Sequence, residues 1–175
     1  IRERCILMKI ETMLVEAIRY ATKMHEGQLR KYTYEPYIEH PVAVADLVEE
    51  YMDSRRCVYD DDAIMTAMTI AVLHDVVEDT EATMEDIVEL FGEEVATGVW
   101  FLTKCPDYVG NRATRKKICE DRLASAPEIV KIIKSFDLQH NSLTLERDDP
   151  AFYKVFVRES ESLLGAMKLE HILPK

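Results

Sequence analysis

The 175-residue chain has few helix-breaking residues, no long apolar run and a shortage of positive charge. With only 5 Gly and 6 Pro, and with apolar residues recurring three and four positions apart, we expect an all-α fold. No apolar stretch approaches the roughly 18 residues of a membrane span, and no signal-peptide pattern opens the chain. The net charge of −11 disfavours nucleic acid or an anionic membrane as the main partner, since both require a basic surface. We therefore expect a cytoplasmic protein.

Cysteine is scarce as well, and no CxxC motif occurs. The four cysteines are Cys5, Cys57, Cys105 and Cys119. This wide spacing indicates neither a zinc knuckle nor a disulfide framework. We expect reduced thiols in the core or on the surface.

Length and composition predict one domain spanning residues 1–175, with enough apolar residues for a substantial core. The hydrophobic fraction of 47% and the charged fraction of 31% are ordinary for a soluble globular protein. The apolar periodicity predicts helices over 10–25, 63–73, 83–92, 93–104 and 150–169. Two further helices are predicted to begin at Pro41 and at Pro127. Thr83 is expected to cap one helix and Gly92 to end it.

The predicted helix 63–73 is almost wholly apolar and ends abruptly in four groups that can bind metals or protons. These are His74, Asp75, Glu78 and Asp79. If the helix continued, His74 would lie near Glu78 and Asp75 near Asp79, because residues four apart share a helix face. A His-Asp dipeptide by itself is weak evidence, since most such pairs have no chemical role. A metal site therefore requires further ligands elsewhere in the chain.

Asp137 is a candidate for a further ligand, because it lies within the apolar helix that Pro127 opens. Two histidines compete to supply a second imidazole: His25, at the end of the first predicted helix, and His40, directly before the second. The local pattern does not choose between them. Two imidazoles and two carboxylates, with no thiolate, suit one divalent ion with open positions for water, such as Mn²⁺ or Fe²⁺, rather than structural zinc.

Four motifs follow one another along the chain. They are His25–Lys31, Glu35–Ala45, Leu73–Thr80, and Asp137 with His140, Asn141 and Thr144. Together they resemble the HD-domain alarmone hydrolases, which comprise the hydrolase half of the RelA/SpoT proteins and the free-standing small alarmone hydrolases of the metazoan SpoT homologue type. The resemblance runs from about residue 12 to 160. Lesser features, Phe91-Gly92 and Leu102-Thr103-Lys104, support it.

The resemblance implies a helical HD-domain phosphohydrolase that removes the 3′-pyrophosphate of guanosine tetra- or pentaphosphate, releasing pyrophosphate and GDP or GTP. It implies one metal ion, usually manganese, and selects His40 over His25, which becomes a structural residue or a neighbour of the ligands. The implied ligands are His40, His74, Asp75 and Asp137. Glu78 and Asp79 are implied to handle the attacking water and the protons. The implied nucleotide contacts are Arg30, Lys31, Lys104, Asn141, Thr144 and Tyr153, with Arg112, Arg115 and Lys116 as further cations.

The chain departs from the family pattern at Leu138-Gln139, where the family usually has Arg-Leu, and the linker between His40 and His74 is longer than usual. The departure at 138–139 motivates an alternative, a phosphatase acting on another nucleotide such as NADPH. A second alternative is a nucleotide-binding module without turnover, against which the intact Glu78-Asp79 pair argues. If the sequence is complete, we expect a stand-alone hydrolase without a synthetase domain.

Overall fold

The computed structural model describes the backbone of residues 2–168 and the side chains of 12–106 and 108–168. The helices are α1 Arg2–Met24, α2 Glu39–Asp53, α3 Asp61–Leu73, α4 Val76–Asp79, α5 Met84–Leu102, α6 Arg112–Ala124, α7 Glu128–Asp148 and α8 Pro150–Met167. A 3-10 turn, Asp107–Val109, precedes α6. Within residues 2–168 there is no strand, and one isolated bridge pairs Leu29 with Pro36. The prediction of an all-α fold is confirmed.

The helix bounds differ from the predictions at several ends. The first helix begins at Arg2 instead of residue 10, and α2 begins at Glu39, so His40 lies in its first turn instead of directly before it. The start of α3 is also earlier than predicted, because the Asp60 side chain accepts a hydrogen bond from the N–H of Ala63 at 2.9 Å. The predicted end of the last helix, residue 169, lies outside the described residues, as does the Cys5 side chain.

The central helix is α3, which packs against α1, α2, α5 and α7. Every residue from Ala67 to Leu73 is buried. A helix that is apolar on all sides is most stable when other helices surround it, because burial of each Val, Leu or Ile side chain contributes about 1.5–3 kcal/mol to the free energy of folding. This explains the nearly continuous apolar run, and it places the C-terminal end of α3 inside the molecule. No helix of the described chain is long and apolar enough to span a membrane.

The helix that ends at Leu73 does not continue to Asp79, so the condition for the pairing of His74 with Glu78 and of Asp75 with Asp79 is not met. The regular helix α3 ends at Leu73, and a separate short helix, α4, begins at Val76. The N–H of His74 reaches Ala71 O only at 3.5 Å, and Asp75 precedes α4 with φ −100° and ψ −7°. His74 and Asp75 therefore lie at a junction between two helices, with backbone dihedral angles still in the right-handed region.

The predicted start and break of the next helix are confirmed. Thr83 Oγ1 accepts the N–H of Asp86 at 3.2 Å, and Asp86 Oδ2 accepts the N–H of Thr83 at 2.8 Å, which is a capping box. Gly92 has φ +84°, a left-handed conformation that side chains disfavour, and it bends α5 between two helical halves. The second half then runs back along α3.

Gly98 of α5 packs closely against Ile70 of α3. A Cβ atom at this position would lie 2.5 Å from Ile70 Cδ1 and 2.9 Å from Ile70 Cγ1. We expect Gly98→Ala to lower the free energy of unfolding by about 1 kcal/mol, because overpacking costs about 1–3 kcal/mol and the gain in helix propensity is about 1 kcal/mol. Urea denaturation measures the change.

The control for this substitution is the Ile70→Val background, which removes the Cδ1 atom that the new methyl group would meet. There the penalty of Gly98→Ala should shrink or vanish. An equal penalty in both backgrounds would show that the clash with Ile70 is not its cause.

Candidate metal centre

Four side chains converge on one buried point from three parts of the chain. His40 comes from the start of α2, His74 and Asp75 from the α3–α4 junction, and Asp137 from α7. His40 Nε2 lies 3.1 Å from Asp137 Oδ1 and 3.7 Å from Asp75 Oδ2. His74 Nε2 lies 3.1 Å from Asp75 Oδ2 and 3.7 Å from Asp137 Oδ1. Each ε-nitrogen thus faces both carboxylates.

The orientation of His74 is set by its own helix. Its Nδ1–H donates to the carbonyl oxygen of Ala71 at 2.6 Å, which turns Nε2 towards the carboxylates. That Nε2 atom is buried, and neither nearby carboxylate meets it with hydrogen-bond geometry. Burial alone would lower the pKa of His74, but Asp75 and Asp137 outweigh it and raise the pKa well above its ordinary value. The surroundings therefore favour positive charge at this nitrogen.

The donor set fits a divalent metal ion. Donor atoms of His40, His74 and Asp137 all lie within 4.8 Å of one another, and all three residues are buried. Asp75 adds a second carboxylate to this group. Nitrogen and carboxylate donors without a thiolate are typical of ions that keep open positions, and the orphaned Nε2 of His74 lacks the partner that a cation would supply.

His25, the other candidate imidazole, is buried but lies apart from this cluster. Its Nδ1–H donates to Gln28 Oε1 at 2.7 Å, and its ring lies against Tyr37, with centroids 4.8 Å apart. The structure thus brings His40 to the carboxylates, whereas His25 packs against Tyr37.

Three further groups fix the carboxylates. Lys134 Nζ lies 2.6 Å from Asp137 Oδ2, and Asn141 Nδ2 donates to Asp137 Oδ1 at 2.7 Å. The Tyr37 hydroxyl donates to Asp75 Oδ2 at 2.7 Å. Burial and the carboxylates of Asp75 and Asp79 raise the pKa of Tyr37 well above its ordinary value, so the hydroxyl remains a donor.

The sequence assigned no role to Lys134, although a signal was present. Lys134 lies three residues before Asp137, and residues three apart on a helix are neighbours. Burial opposes the charged form of Asp137, but Lys134 and the two imidazoles outweigh it and hold the pKa of Asp137 well below its usual range. Lys134 therefore keeps a buried carboxylate ionised and oriented.

The carboxylates of Glu78 and Asp79 have different surroundings. Glu78 is held by Lys104, whose backbone N–H donates to Oε2 at 3.1 Å and whose ammonium group contacts Oε1. Asp79 is exposed, and its backbone N–H donates to the carbonyl oxygen of Asp75 at 2.9 Å. Because the helix breaks, the expected pairing of His74 with Glu78 is replaced by a pairing of Glu78 with Lys104.

The implied nucleotide contacts do not all lie at one place. Arg30 and Thr144 line a cavity of about 460 Å³, whereas Lys104 lies at Glu78. The remaining cavity residues are Tyr32, Thr33, Glu35, His140, Leu143 and Arg147. Lys31 and Tyr153 are not among these residues: Lys31 is exposed over the ring of Tyr32, and Tyr153 is half-buried on α8.

Two hydrogen-bonded paths connect the cavity with the cluster. Arg30 donates to Asn141 Oδ1 at 3.1 Å, and Asn141 in turn donates to Asp137. His140 lines the cavity, and its Nδ1 lies 2.8 Å from His40 Nδ1. Burial and the neighbouring His40 lower the pKa of His140 to about 4, so its ring is neutral at neutral pH. A molecule in the cavity would therefore contact groups that position two residues of the cluster.

The departures from the family pattern lie away from this cavity. Leu138 is buried in the core, and neither Leu138 nor Gln139 lines the cavity. The additional cations are also engaged elsewhere, since Arg112 and Lys116 both pair with Glu159 of α8.

Comparison with known proteins gives consistent matches. The family model for the HD domain matches residues 17–139. A probable guanosine-3′,5′-bis(diphosphate) 3′-pyrophosphohydrolase from Synechocystis is 35% identical over 159 residues, covering 89% of this chain and 20% of the relative. The bifunctional (p)ppGpp synthase/hydrolase SpoT of Escherichia coli is 36% identical over 151 residues, covering 84% of this chain and 20% of the relative. The chain thus spans about a fifth of the length of these curated relatives.

A solved structure is similar over nearly its whole length. It is described as a metazoan ortholog of SpoT that hydrolyzes ppGpp and plays a role in starvation responses. The TM-score is 0.73 at 26% identity, and the match covers 91% of this chain and 93% of that one.

The positions of the two buried imidazoles predict different responses to metal. At about 100 times its Kd, Mn²⁺ should stabilise the wild-type chain by about 2.7 kcal/mol, seen as a rise in thermal midpoint. His40→Ala should show no rise, because a donor atom is missing. His25→Ala is the matched control and should keep the rise. The reverse result would assign the metal to His25.

Loss of the Lys134 charge should destabilise the metal-free chain. We expect Lys134→Met to lower the free energy of unfolding at pH 7 by about 3 kcal/mol, since it leaves a buried carboxylate unpaired. Urea denaturation in chelator measures this, and Lys131→Met removes the same charge one turn earlier on α7 as a control. Because the folded-state pKa of Asp137 is depressed, the penalty should fade only below about pH 4, the ordinary range of an aspartate. Equal losses for both variants would contradict the assignment.

Proposed function

The chain belongs to the HD domain family, and from this premise we propose that it hydrolyses the 3′-pyrophosphate of guanosine tetra- or pentaphosphate in a metal-dependent reaction that releases pyrophosphate and GDP or GTP. The observation that carries the proposal is the buried cluster of two imidazoles and two carboxylates beside a polar cavity. The substrate is suggested by the names of the Synechocystis and Escherichia coli relatives and by the description of the metazoan structure.

Four residues would hold one divalent ion, and we propose manganese, with Fe²⁺ as the other candidate. They are His40, His74, Asp75 and Asp137, supported from behind by Lys134, Asn141 and Tyr37. When bound, such an ion supplies Lewis acidity towards water and phosphoryl oxygens.

Glu78 and Asp79 are proposed to handle protons. One carboxylate accepts the proton of the attacking water, and the other assists protonation of the departing ribose 3′ oxygen. The contacts with Lys104 support this role for Glu78, because two donors from one residue fix the direction of its carboxylate. The side chain of Asp79 is exposed, so its carboxylate is accessible to a substrate.

The cavity is proposed to hold the nucleotide. Its volume of about 460 Å³ lies within the range of small-ligand sites, about 300–1,000 Å³. Arg30 and Arg147 bring positive charge to a chain with a net charge of −11, so an anionic substrate finds local attraction there. The cations Lys31 and Lys104 are the further candidates for phosphate contacts.

Neither alternative function gains support from a specific observation. The NADPH hypothesis was motivated by Leu138 and Gln139, and neither residue lines the cavity. A binding module without turnover has no need of the Glu78-Asp79 pair beside a complete donor set.

The test is turnover by the purified chain with Mn²⁺. We expect ppGpp to give GDP and pyrophosphate in equal amounts, resolved by anion-exchange chromatography, and chelator to stop the reaction. NADPH under the same conditions should release phosphate far more slowly. A chain that binds metal and prefers NADPH, or binds ppGpp without products, would overturn the proposal.

Removal of the proposed base should affect chemistry without affecting metal binding. We expect Glu78→Gln to lower kcat about 100-fold or more, because general acid–base catalysis contributes about 10²–10⁴. Its Mn²⁺-dependent rise in thermal midpoint should remain. Glu81→Gln, at an exposed position three residues on, is the control and should stay within about twofold of wild type. Wild-type turnover by Glu78→Gln would exclude the assigned role.

A further inference from the structure

Two cysteines that are far apart in sequence are in contact in the fold. Cys105 lies in the loop after α5 and Cys119 lies on α6, and their sulfur atoms are 3.4 Å apart. Both are partly exposed, so a small oxidant in solution can reach them. The wide spacing of the cysteines along the chain gave no sign of this contact.

Arg122 joins the surroundings of this pair. Its guanidinium lies 3.9 Å from Cys119 Sγ, donates to the carbonyl oxygen of Thr103, and lies over the ring of Trp100 at 4.9 Å. The cation provides a counter-charge for a thiolate, which is the attacking species in disulfide exchange. Burial and the contact with Cys119 raise the pKa of the Cys105 thiol. Cys119 is the better placed of the two to attack first, because the guanidinium of Arg122 lies against its sulfur atom.

Cys105 is the neighbour in sequence of Lys104, the residue that contacts the proposed catalytic carboxylate, Glu78. Lys104 precedes Cys105, and both its N–H and its ammonium group bind Glu78. Any movement of the loop at Cys105 is therefore passed directly to the contacts that hold Glu78.

We propose that Cys105 and Cys119 form a reversible disulfide that displaces Lys104 from Glu78 and thereby slows the reaction. Its effect on turnover rests on the proposed function, whereas the disulfide and the displacement of Lys104 do not. Because a disulfide has sulfur atoms about 2.05 Å apart, the two sulfurs must approach by more than an ångström from their present 3.4 Å.

The oxidant is a low-molecular-weight disulfide such as oxidised glutathione. The Cys119 thiolate attacks one glutathione sulfur, the glutathione S–S bond breaks, and one glutathione thiolate leaves. Cys105 then gives up its proton and attacks the Cys119 sulfur, which releases the second glutathione. Two protein thiols are oxidised and one glutathione disulfide is reduced to two thiols.

The chemical part is tested by incubating the full chain with oxidised glutathione and mapping peptides without reduction. We expect a Cys105–Cys119 linked peptide that dithiothreitol removes and that Cys105→Ser and Cys119→Ser each lack, while Cys57→Ser retains it. Trp100 is the one tryptophan of the chain, so its emission should change on oxidation and recover on reduction. Mixed disulfides with glutathione at both positions, without the linked peptide, would overturn the proposal.

The displacement of Lys104 is measured by amine-reactive labelling followed by mass spectrometry. In the oxidised chain we expect Lys104 to react several-fold faster than in the reduced chain, with Lys131 as the internal reference. Equal reactivity of Lys104 in fully cross-linked and reduced protein would overturn the displacement.

The effect on the reaction is measured by ppGpp turnover in reduced, oxidised and re-reduced protein. We expect oxidation to lower turnover roughly tenfold, since misplacement of a catalytic group by about 1 Å can cost up to 10²-fold. The turnover rate of Cys119→Ser should not change on oxidation. The turnover rate of Cys57→Ser should fall as that of the wild type does. Unchanged turnover in fully cross-linked protein would overturn the regulatory role. A reduced chain without turnover would instead refute the proposed function, while peptide mapping and Lys104 labelling would still decide the disulfide.

Discussion

The arrangement of this molecule depends on two carboxylates, one buried and one partly buried, that need positive charge. Asp75 and Asp137 face the ε-nitrogens of His40 and His74 where water is largely excluded. A buried ionised carboxylate is costly unless it is paired and hydrogen-bonded. Lys134 pairs with one oxygen atom of Asp137. The ε-nitrogens of both imidazoles face the other oxygen of Asp137 and one oxygen of Asp75. A divalent cation between these four groups would satisfy the requirement fully, which is why the donor set fits a metal better than it fits a hydrogen-bonded network.

The fold satisfies this constraint by ending an apolar helix at the right place. Burial of α3 on all sides brings His74 into the core, and the end of α3 at Leu73 places His74 and Asp75 at the junction between α3 and α4. A continuous helix would have placed Glu78 one turn above His74. The restart of the chain as α4 instead turns Glu78 towards Lys104.

Much of this architecture could be predicted from the sequence, because helix caps and apolar periodicity are local signals. Thr83 and Gly92 acted as expected, and the all-α class followed from periodicity and from the scarcity of Gly and Pro. The break after Leu73 could not be predicted, since no Gly or Pro marks it and the side chain of His74 itself takes the Ala71 carbonyl. Contacts between segments that are distant in sequence also could not be predicted from local sequence patterns. The choice between His25 and His40 is of this kind, because it depends on how α2 meets α7.

The same limit applies to the cysteines, whose separation of 14 residues obscures a contact created by the turn from α5 into α6. That contact matters because the connection between α5 and α6 carries Lys104 as well as Cys105. The charge that holds Glu78 therefore belongs to a loop, which is less constrained than the helices that hold His40, His74 and Asp137. The proposed metal ligands are fixed by the core, whereas the proposed proton-handling group is fixed by a contact that a small displacement can break. Control of such a site is consequently most effective at the loop, where activity can change without loss of the metal or of the fold.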